Sequence, residues 1–165
     1  MTALLGIDLG ERRIGVALAD GPDVGARPLV TLRRGRTIEV DAAALLELIE
    51  RHDVSELVVG LPIDAAGHEG PQAIATRGWV DGLTSQLGDR VRLSLRDERL
   101  TSHVAEDRLG PMSRGRSGGP PTRTQRDAYR ARVDREAAAI ILQDELDSRR
   151  ATGDPQARPT MEMTP

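Results

Sequence analysis

The sequence predicts a single α/β domain with a mixed five-stranded sheet and helices on its faces. Three short apolar runs lie near the N-terminus, and segments with strand and helix spacing alternate after them, without an internal repeat. The length of 165 residues allows one hydrophobic core and little more. We therefore place one domain at residues 1–150. Residues 151–165 lack a periodic pattern and are expected to form a disordered C-terminal tail.

The first three predicted strands are the apolar runs at residues 3–7, 13–19 and 29–32. Only residues 10–12 connect the first two runs, so we expect them to form an antiparallel hairpin. A loop containing Gly21, Pro22 and Gly25 leads to the third.

Helices and strands are expected to alternate in the middle of the chain. Apolar residues at helical spacing predict a helix around residues 40–49 and a second one around residues 74–87, which Gly78 and Gly82 should weaken. A continuous apolar run at residues 57–60 is typical of a buried parallel strand, and a Gly/Pro-rich loop follows it at residues 61–71. The alternating residues 91–95 predict the fifth strand.

The last third of the chain contains two predicted helices and a loop between them. Residues 101–109 form the first helix, and the second ends near Arg149 with apolar residues between Ala137 and Leu142. Between them, residues 110–125 are rich in Gly, Pro and Arg and predict a flexible basic loop.

Composition excludes several classes of function. The absence of Cys excludes disulfides, thiolate catalysis and thiolate zinc sites. Trp79 and Tyr129 are the only aromatic residues, which leaves no stacking platform for single-stranded bases. No segment resembles a signal peptide or a membrane helix, so we expect a cytoplasmic protein without a membrane partner. The net charge of −3 argues against a globally basic nucleic-acid binder.

Carboxylates at the ends of two predicted strands are candidate functional groups. Asp8 follows the first apolar run, where a structural role in a turn is an equally good interpretation. Asp97 and Glu98 follow the fifth strand, and either could instead form a surface ion pair with a neighbouring Arg. Residue alternation alone does not decide between Asp97 and Glu98.

Asp134 is the most informative carboxylate because it shares a helix face with the apolar residues of the last helix. A carboxylate on a buried face is costly unless a cation or a helix N-terminus compensates its charge. Capping is one explanation if the helix begins near Asp134. If the helix already begins near Thr124, a metal becomes the better explanation.

Three carboxylates from separate elements suggest one divalent-metal site. Mg²⁺ and Mn²⁺ prefer oxygen ligands, and Mg²⁺ typically takes only a few carboxylates with water and substrate phosphate. Two such ions can activate water and stabilise the leaving oxygen in phosphodiester hydrolysis. We therefore expect Mg²⁺ or Mn²⁺ as cofactor, with two ions when substrate is bound.

Four motifs in this order resemble the YqgF (RuvX-type) nucleases, relatives of the RuvC Holliday junction resolvases. They are GIDLGERRIGVALAD at residues 6–20, VVGLP at 58–62, DERLTS at 97–102 and VDREAAAIILQDELD at 133–147. The resemblance implies an RNase H-like fold and a catalytic, metal-binding triad of Asp8, Glu98 and Asp134. It selects Glu98 over Asp97, which remains a possible neighbouring ligand.

The resemblance also implies a substrate class. Family members are similar to nucleases that mature the 5′ end of pre-16S rRNA in ribosome biogenesis, and resolution of four-way DNA is the alternative. The expected partner is therefore structured RNA or branched DNA, bound by a monomer or a homodimer. Phosphate contacts are expected from basic residues in the hairpin turn, after the fifth strand and in the basic loop: Arg12, Arg13, Arg99, Arg114, Arg116, Arg123 and Arg126.

Two rival interpretations concern other classes of protein. GIDLG also resembles the phosphate loop of the actin and sugar-kinase superfamily, but those enzymes bind ATP between two domains and this chain has room for one. A non-catalytic RNA- or protein-binding scaffold is the second rival, and the three retained carboxylates argue against it.

Overall fold

A computed structural model describes residues 2–99, 101–115 and 117–153. The strands are β1 (Ala3–Leu9), β2 (Arg13–Ala19), β3 (Arg27–Arg33), β4 (Val54–Pro62) and β5 (Arg92–Glu98). The helices are α1 (Ile38–His52), α2 (Pro71–Leu87), α3 (Thr101–Leu109) and α4 (Arg123–Thr152). A short 3₁₀ turn, Gly88–Arg90, precedes β5.

The five strands form one mixed sheet in the order β3-β2-β1-β4-β5. β1, β2 and β3 pair as an antiparallel meander, whereas β1, β4 and β5 run parallel to one another. The parallel strands are joined by helical connections, as parallel pairing requires. The carboxyl ends of β1, β4 and β5 therefore meet at one edge of the sheet, as the predicted α/β fold implies.

Helices cover both faces of the sheet. On one face, α1 and α2 bury the larger apolar cluster, which includes Leu5, Ile7 and the single tryptophan Trp79. On the other face, α4 crosses the sheet and packs Ala138 and Leu142 against β1 and β2. The alternating side chains of each strand thus contact two different helical layers.

The two glycines of α2 do not prevent this helix from forming. Gly82 faces α1, and a Cβ at this position would lie 3.1 Å from Ile38 Cγ1. Close packing of α1 against α2 therefore compensates the low helix propensity of glycine at this position.

The last helix, α4, begins at Arg123, before the predicted end of the basic loop at residue 125. Thr122 is the N-cap of α4, and its side chain accepts a hydrogen bond from the Gln125 backbone N–H. The Gln125 side chain accepts one from the Thr122 backbone N–H, which completes a capping box. Arg123 and Arg126 therefore lie in the first turn of α4, which corrects their predicted place in the loop.

The C-terminal end of α4 extends to Thr152, beyond the predicted domain boundary at residue 150. Gly153 caps the helix in a left-handed conformation. The rest of the predicted tail, residues 154–165, and the predicted phosphate contact Arg116 lie outside the described residues. Within the described ranges, no helix is both long and apolar enough to cross a membrane.

Candidate functional site

Asp8 lies near the carboxyl end of β1 and faces α4. Alternate residues of β1 share this face: Leu4 belongs to the apolar cluster under α4, and a Cβ on Gly6 would lie 2.5 Å from the Ala138 carbonyl oxygen. Burial raises the pKa of Asp8 to about 7, and the negative charges of Asp134 and Glu98 contribute further. A raised carboxylate pKa of this kind is typical of a functional site.

Glu98 faces the same helical layer as Asp8. The register pairs Gly60 of β4 with Arg96 of β5 and Pro62 with Glu98. Glu98 Oε2 accepts a hydrogen bond of 2.8 Å from Thr101 Oγ1, and Arg96 Nε donates to Glu98 Oε1 at 3.1 Å. Burial is the largest cause of the raised pKa of Glu98.

The neighbouring Asp97 points away from this layer. Leu93 and Leu95, which alternate with Asp97 along β5, pack against the cluster under α1 and α2. Asp97 is exposed at the end of that face. The strand register therefore separates the two acids, and Glu98 is the one directed towards Asp8.

Asp8 and Glu98 line one cavity of about 170 Å³. Gly60 lies between their strands, where a Cβ would be 2.5 Å from Ile141 Cδ1 and 3.6 Å from Glu98 Cγ. The missing side chain leaves the space between the two carboxylates open. Thr101, which holds Glu98, also lines the cavity.

Asp134 lies beside Asp8 but lines a neighbouring cavity. It is about three turns inside α4, so it does not cap this helix. Its backbone crosses β2 at Gly15, the residue paired with Asp8. A Cβ on Gly15 would lie only 2.0 Å from the Asp134 carbonyl oxygen. The Asp134 carboxylate forms an ion pair with Arg13, at 2.5 Å between Nε and Oδ2.

The donor set at the first cavity fits a hard divalent cation. Asp8 and Glu98 supply carboxylate oxygens, which Mg²⁺ and Mn²⁺ prefer. Within residues 2–99, 101–115 and 117–153, however, no group of three or more His, Asp or Glu side chains is arranged to hold an ion. Asp134, the third predicted ligand, contacts Arg13 instead.

Three of the predicted phosphate-binding residues lie together. Arg12, Arg13 and Arg123 line a cavity of about 320 Å³ between the hairpin, β3 and the first turns of α4. Arg33 lines the same cavity, and Arg130 lies beside Asp134 in the next one. These two residues were not predicted. The spacing from Arg123 to Arg130 and Asp134 is helical, so recognising the capping box would have placed Arg130 on this face.

The other predicted arginines lie elsewhere. Arg99 is exposed and donates to the Ala65 carbonyl oxygen at 3.3 Å, on the loop after β4. Arg126 donates to the Pro121 carbonyl oxygen at 2.8 Å. The Arg114 carbonyl oxygen accepts a hydrogen bond from the Gln125 side chain, which ties the basic loop to α4.

Comparisons with known proteins agree on one family. A family model described as RuvX, Holliday junction resolvase, matches residues 2–148. A protein of Anaeromyxobacter dehalogenans strain 2CP-1, named "Putative pre-16S rRNA nuclease", is 45% identical over 145 residues, covering 88% of this chain and 96% of that one. A protein of the same name from Chloroflexus aurantiacus strain J-10-fl is 40% identical over 148 residues, covering 90% and 88%.

A solved structure shares the fold. RuvC of T. thermophilus in complex with a Holliday junction substrate aligns with a TM-score of 0.51 and 14% identity, over 92% of this chain and 98% of that chain. At this identity the likeness concerns the fold alone. It confirms the predicted RNase H-like fold with its mixed five-stranded sheet.

Proposed function

We propose, since the chain belongs to the RuvX family, that it is a divalent-metal-dependent nuclease acting at the cavity between Asp8 and Glu98. One observation supports this proposal above the others. Two half-buried carboxylates from the carboxyl ends of β1 and β5 line one cavity, with Asp134 near enough to raise the pKa of Asp8. This convergence provides the negative charge that a divalent ion requires.

The three carboxylates have distinct roles in this proposal. Asp8 and Glu98 would hold the ion, with Asp134 as a third ligand after its separation from Arg13. When bound, divalent ions supply an activated water and charge stabilisation for phosphodiester hydrolysis. Thr101 and Arg96 orient the two oxygens of Glu98. Arg13, once released, can contact a substrate phosphate near the same carboxylates.

The substrate that we propose is the 5′ end of pre-16S rRNA, in ribosome biogenesis. The names of the relatives from Anaeromyxobacter and Chloroflexus support RNA as substrate. The description of the matching family model favours four-way DNA as a second candidate. In this proposal the site recognises phosphate groups, which both substrates offer.

The experiment compares the two substrates directly. Purified protein is incubated with a pre-16S rRNA 5′ fragment and with four-way DNA, each in Mg²⁺, Mn²⁺ or EDTA. We expect cleavage of the RNA with either metal and none in EDTA. Cleavage of only the four-way DNA would select the second candidate. Cleavage in EDTA would contradict metal dependence.

Adjacent acids on β5 provide a matched pair of variants. Glu98→Gln is expected to lower cleavage at least about 100-fold, because it removes a charged ligand from the cavity. Asp97→Asn removes the same charge one residue earlier, on the exposed opposite face, and is expected to change the rate less than about twofold. Equal losses in both variants would contradict the assignment of Glu98.

Arginines of the cavity between the hairpin, β3 and the first turns of α4 are expected to bind the phosphate backbone. The double variant Arg12→Gln/Arg123→Gln should weaken RNA binding about tenfold and reduce the slope of log Kd against log salt by about 1.5. Binding is measured by fluorescence anisotropy in an Asp8→Asn background with Mg²⁺, so that RNA stays intact. Arg51→Gln, an exposed arginine on α1, is the control. An unchanged salt slope in the double variant would exclude phosphate contacts at this cavity.

A further inference from the structure

Five charged side chains form a continuous chain of ion pairs between α4 and the parallel strands. We call this set, Glu56, Arg149, Glu145, Arg96 and Glu98, the buried charge chain. Arg149 donates to Glu56 at 2.6 and 3.1 Å and to Glu145 at 2.9 Å. Arg96 donates from Nη1 to Glu145 at 2.9 Å and from Nε to Glu98 at 3.1 Å. The buried charge chain thus connects the interior under α4 to the candidate catalytic cavity.

The interior part of the buried charge chain is almost completely removed from solvent. Glu145 is 1% exposed, Arg149 5% and Glu56 7%. Charges at such depth are costly unless each is paired and hydrogen-bonded, so their geometry is strongly constrained. The chain contains three carboxylates and two guanidinium groups, and its terminal carboxylate, Glu98, lies at the cavity.

We propose that Glu145, acting through Arg96, is a positioning residue that keeps Glu98 available to a divalent ion. This inference rests on the proposed nuclease function and adds to it a residue with no contact to the reacting groups. Glu145 accepts a hydrogen bond from Nη1 of Arg96, while Nε of the same guanidinium donates to Glu98 Oε1. Thr101 holds the other oxygen, Oε2. Each oxygen of Glu98 thus accepts one hydrogen bond and retains lone pairs for a metal.

Sharing of the Arg96 guanidinium is the physical basis of this role. A guanidinium has five donors in a planar fork and prefers a bidentate contact with one carboxylate. With Glu145 neutralised, Nη1 would no longer be held, and the guanidinium could turn to place Nε and Nη2 on the two oxygens of Glu98. A bidentate Arg96–Glu98 pair would compete with the cation for the same oxygens. Arg149 holds Glu145 from its other side and so keeps it directed at Arg96.

The test measures Mn²⁺ binding to the full-length protein by isothermal titration calorimetry. Glu145→Gln is expected to weaken Mn²⁺ binding by about 10- to 100-fold, the range seen when partners of metal ligands are removed. Glu56→Gln is the matched control. Glu56 is another buried carboxylate of the buried charge chain, but it pairs with Arg149 and not with Arg96. This variant is expected to lower the Tm as Glu145→Gln does, but to leave Mn²⁺ affinity within about twofold.

A second control and a second variant separate the possible explanations. Asp147→Asn removes an exposed negative charge from the same helix, so it reports the general effect of charge on cation binding. If Glu145→Gln does not fold, Glu145→Asp serves instead. It keeps the charge but shortens the side chain by one methylene, which withdraws the carboxylate from Arg96, and the same loss of affinity is expected.

The outcomes distinguish the two proposals. Wild-type Mn²⁺ affinity in Glu145→Gln, or in Glu145→Asp where the first variant does not fold, would overturn the positioning role and leave the nuclease proposal intact. An equal loss of affinity in Glu145→Gln and Glu56→Gln would assign the effect to stability and would also overturn it. Absence of Mn²⁺ binding to the wild type would overturn both proposals.

Discussion

Replacement of Asp8 by Asn is expected to lower nuclease activity at least about 1,000-fold, because a lost ligand removes several kcal/mol of transition-state stabilisation. Asn has the same shape as Asp but cannot supply the charge that holds a divalent ion. Initial rates on the pre-16S rRNA fragment in Mg²⁺ measure the effect. Asp20→Asn, which changes an exposed acid at the end of β2, is the matched control and should retain activity.

The same substitution is expected to stabilise the metal-free protein, and the effect should depend on pH. The Asp8 carboxyl titrates near 3.8 when unfolded and near 7 when folded. Because the folded state holds this proton more tightly, the stability of the wild type falls as pH rises between these values. The penalty levels off about one pH unit above 7, at roughly 1–4 kcal/mol. Asp8→Asn removes it.

The expected pattern is therefore a pH-dependent difference in Tm. In EDTA, Asp8→Asn and the wild type should unfold at similar temperatures near pH 4, and the variant should be the more stable above pH 7. Addition of Mn²⁺ should raise the Tm of the wild type only. A variant less stable than the wild type at pH 8 without metal would show that Asp8 has a structural role in its turn. Full activity in this variant would place catalysis elsewhere.

Gly15→Ala is expected to have the largest effect on stability. The added Cβ would lie 2.0 Å from the Asp134 carbonyl oxygen and 2.9 Å from the Arg135 backbone nitrogen. Both atoms belong to the backbone of α4, so no rotamer change can relieve the contact. We expect a loss of at least about 3 kcal/mol, the upper end of the range for overpacked sites. Displacement of α4 would also separate Asp134 from Asp8.

Urea unfolding followed by the fluorescence of Trp79 measures this loss. Trp79 is the only tryptophan and is buried, with its indole N–H donating to Asp41 at 3.0 Å. Gly78→Ala is the matched control: its position in α2 is exposed and has no atom within 4 Å of the added Cβ. It should gain about 0.5–1 kcal/mol from helix propensity. Equal stability of Gly15→Ala and the wild type would show that α4 does not pack on β2 in this way.

The comparison of Asp97 with Glu98 shows where local pattern stops being informative. Alternation along β5 indicated that the two acids face opposite sides of the sheet, but it could not indicate which side holds the site. The side is determined by the pairing of Gly60 with Arg96 and Pro62 with Glu98, together with the position of α4. Contacts between elements distant in sequence supply this information, and the family resemblance had supplied it indirectly.

Asp134 illustrates the same limit in a helix. The apolar spacing of residues 137–142 correctly indicated that Asp134 lies towards the sheet, yet capping could be excluded only by locating the helix start. The capping box of Thr122 and Gln125 was a local signal that would have placed this start. The ion pair between Arg13 and Asp134 has no such signal, because the two residues are 121 positions apart.

Local patterns in the chain predicted the five strands, the four helices and a set of candidate acids in which Asp97 and Glu98 stayed undecided, and the family resemblance of four short motifs implied the RNase H-like fold. These features depend on residue spacing and on short motifs, which are properties of neighbouring positions. The tertiary structure decided that Glu98 rather than Asp97 joins Asp8, that Arg13 pairs with Asp134, and that Glu56, Glu145 and Arg149 connect to Glu98 through Arg96. Each of these contacts joins elements through the packing of α4 across the sheet, and burial there makes the pairing of charges obligatory.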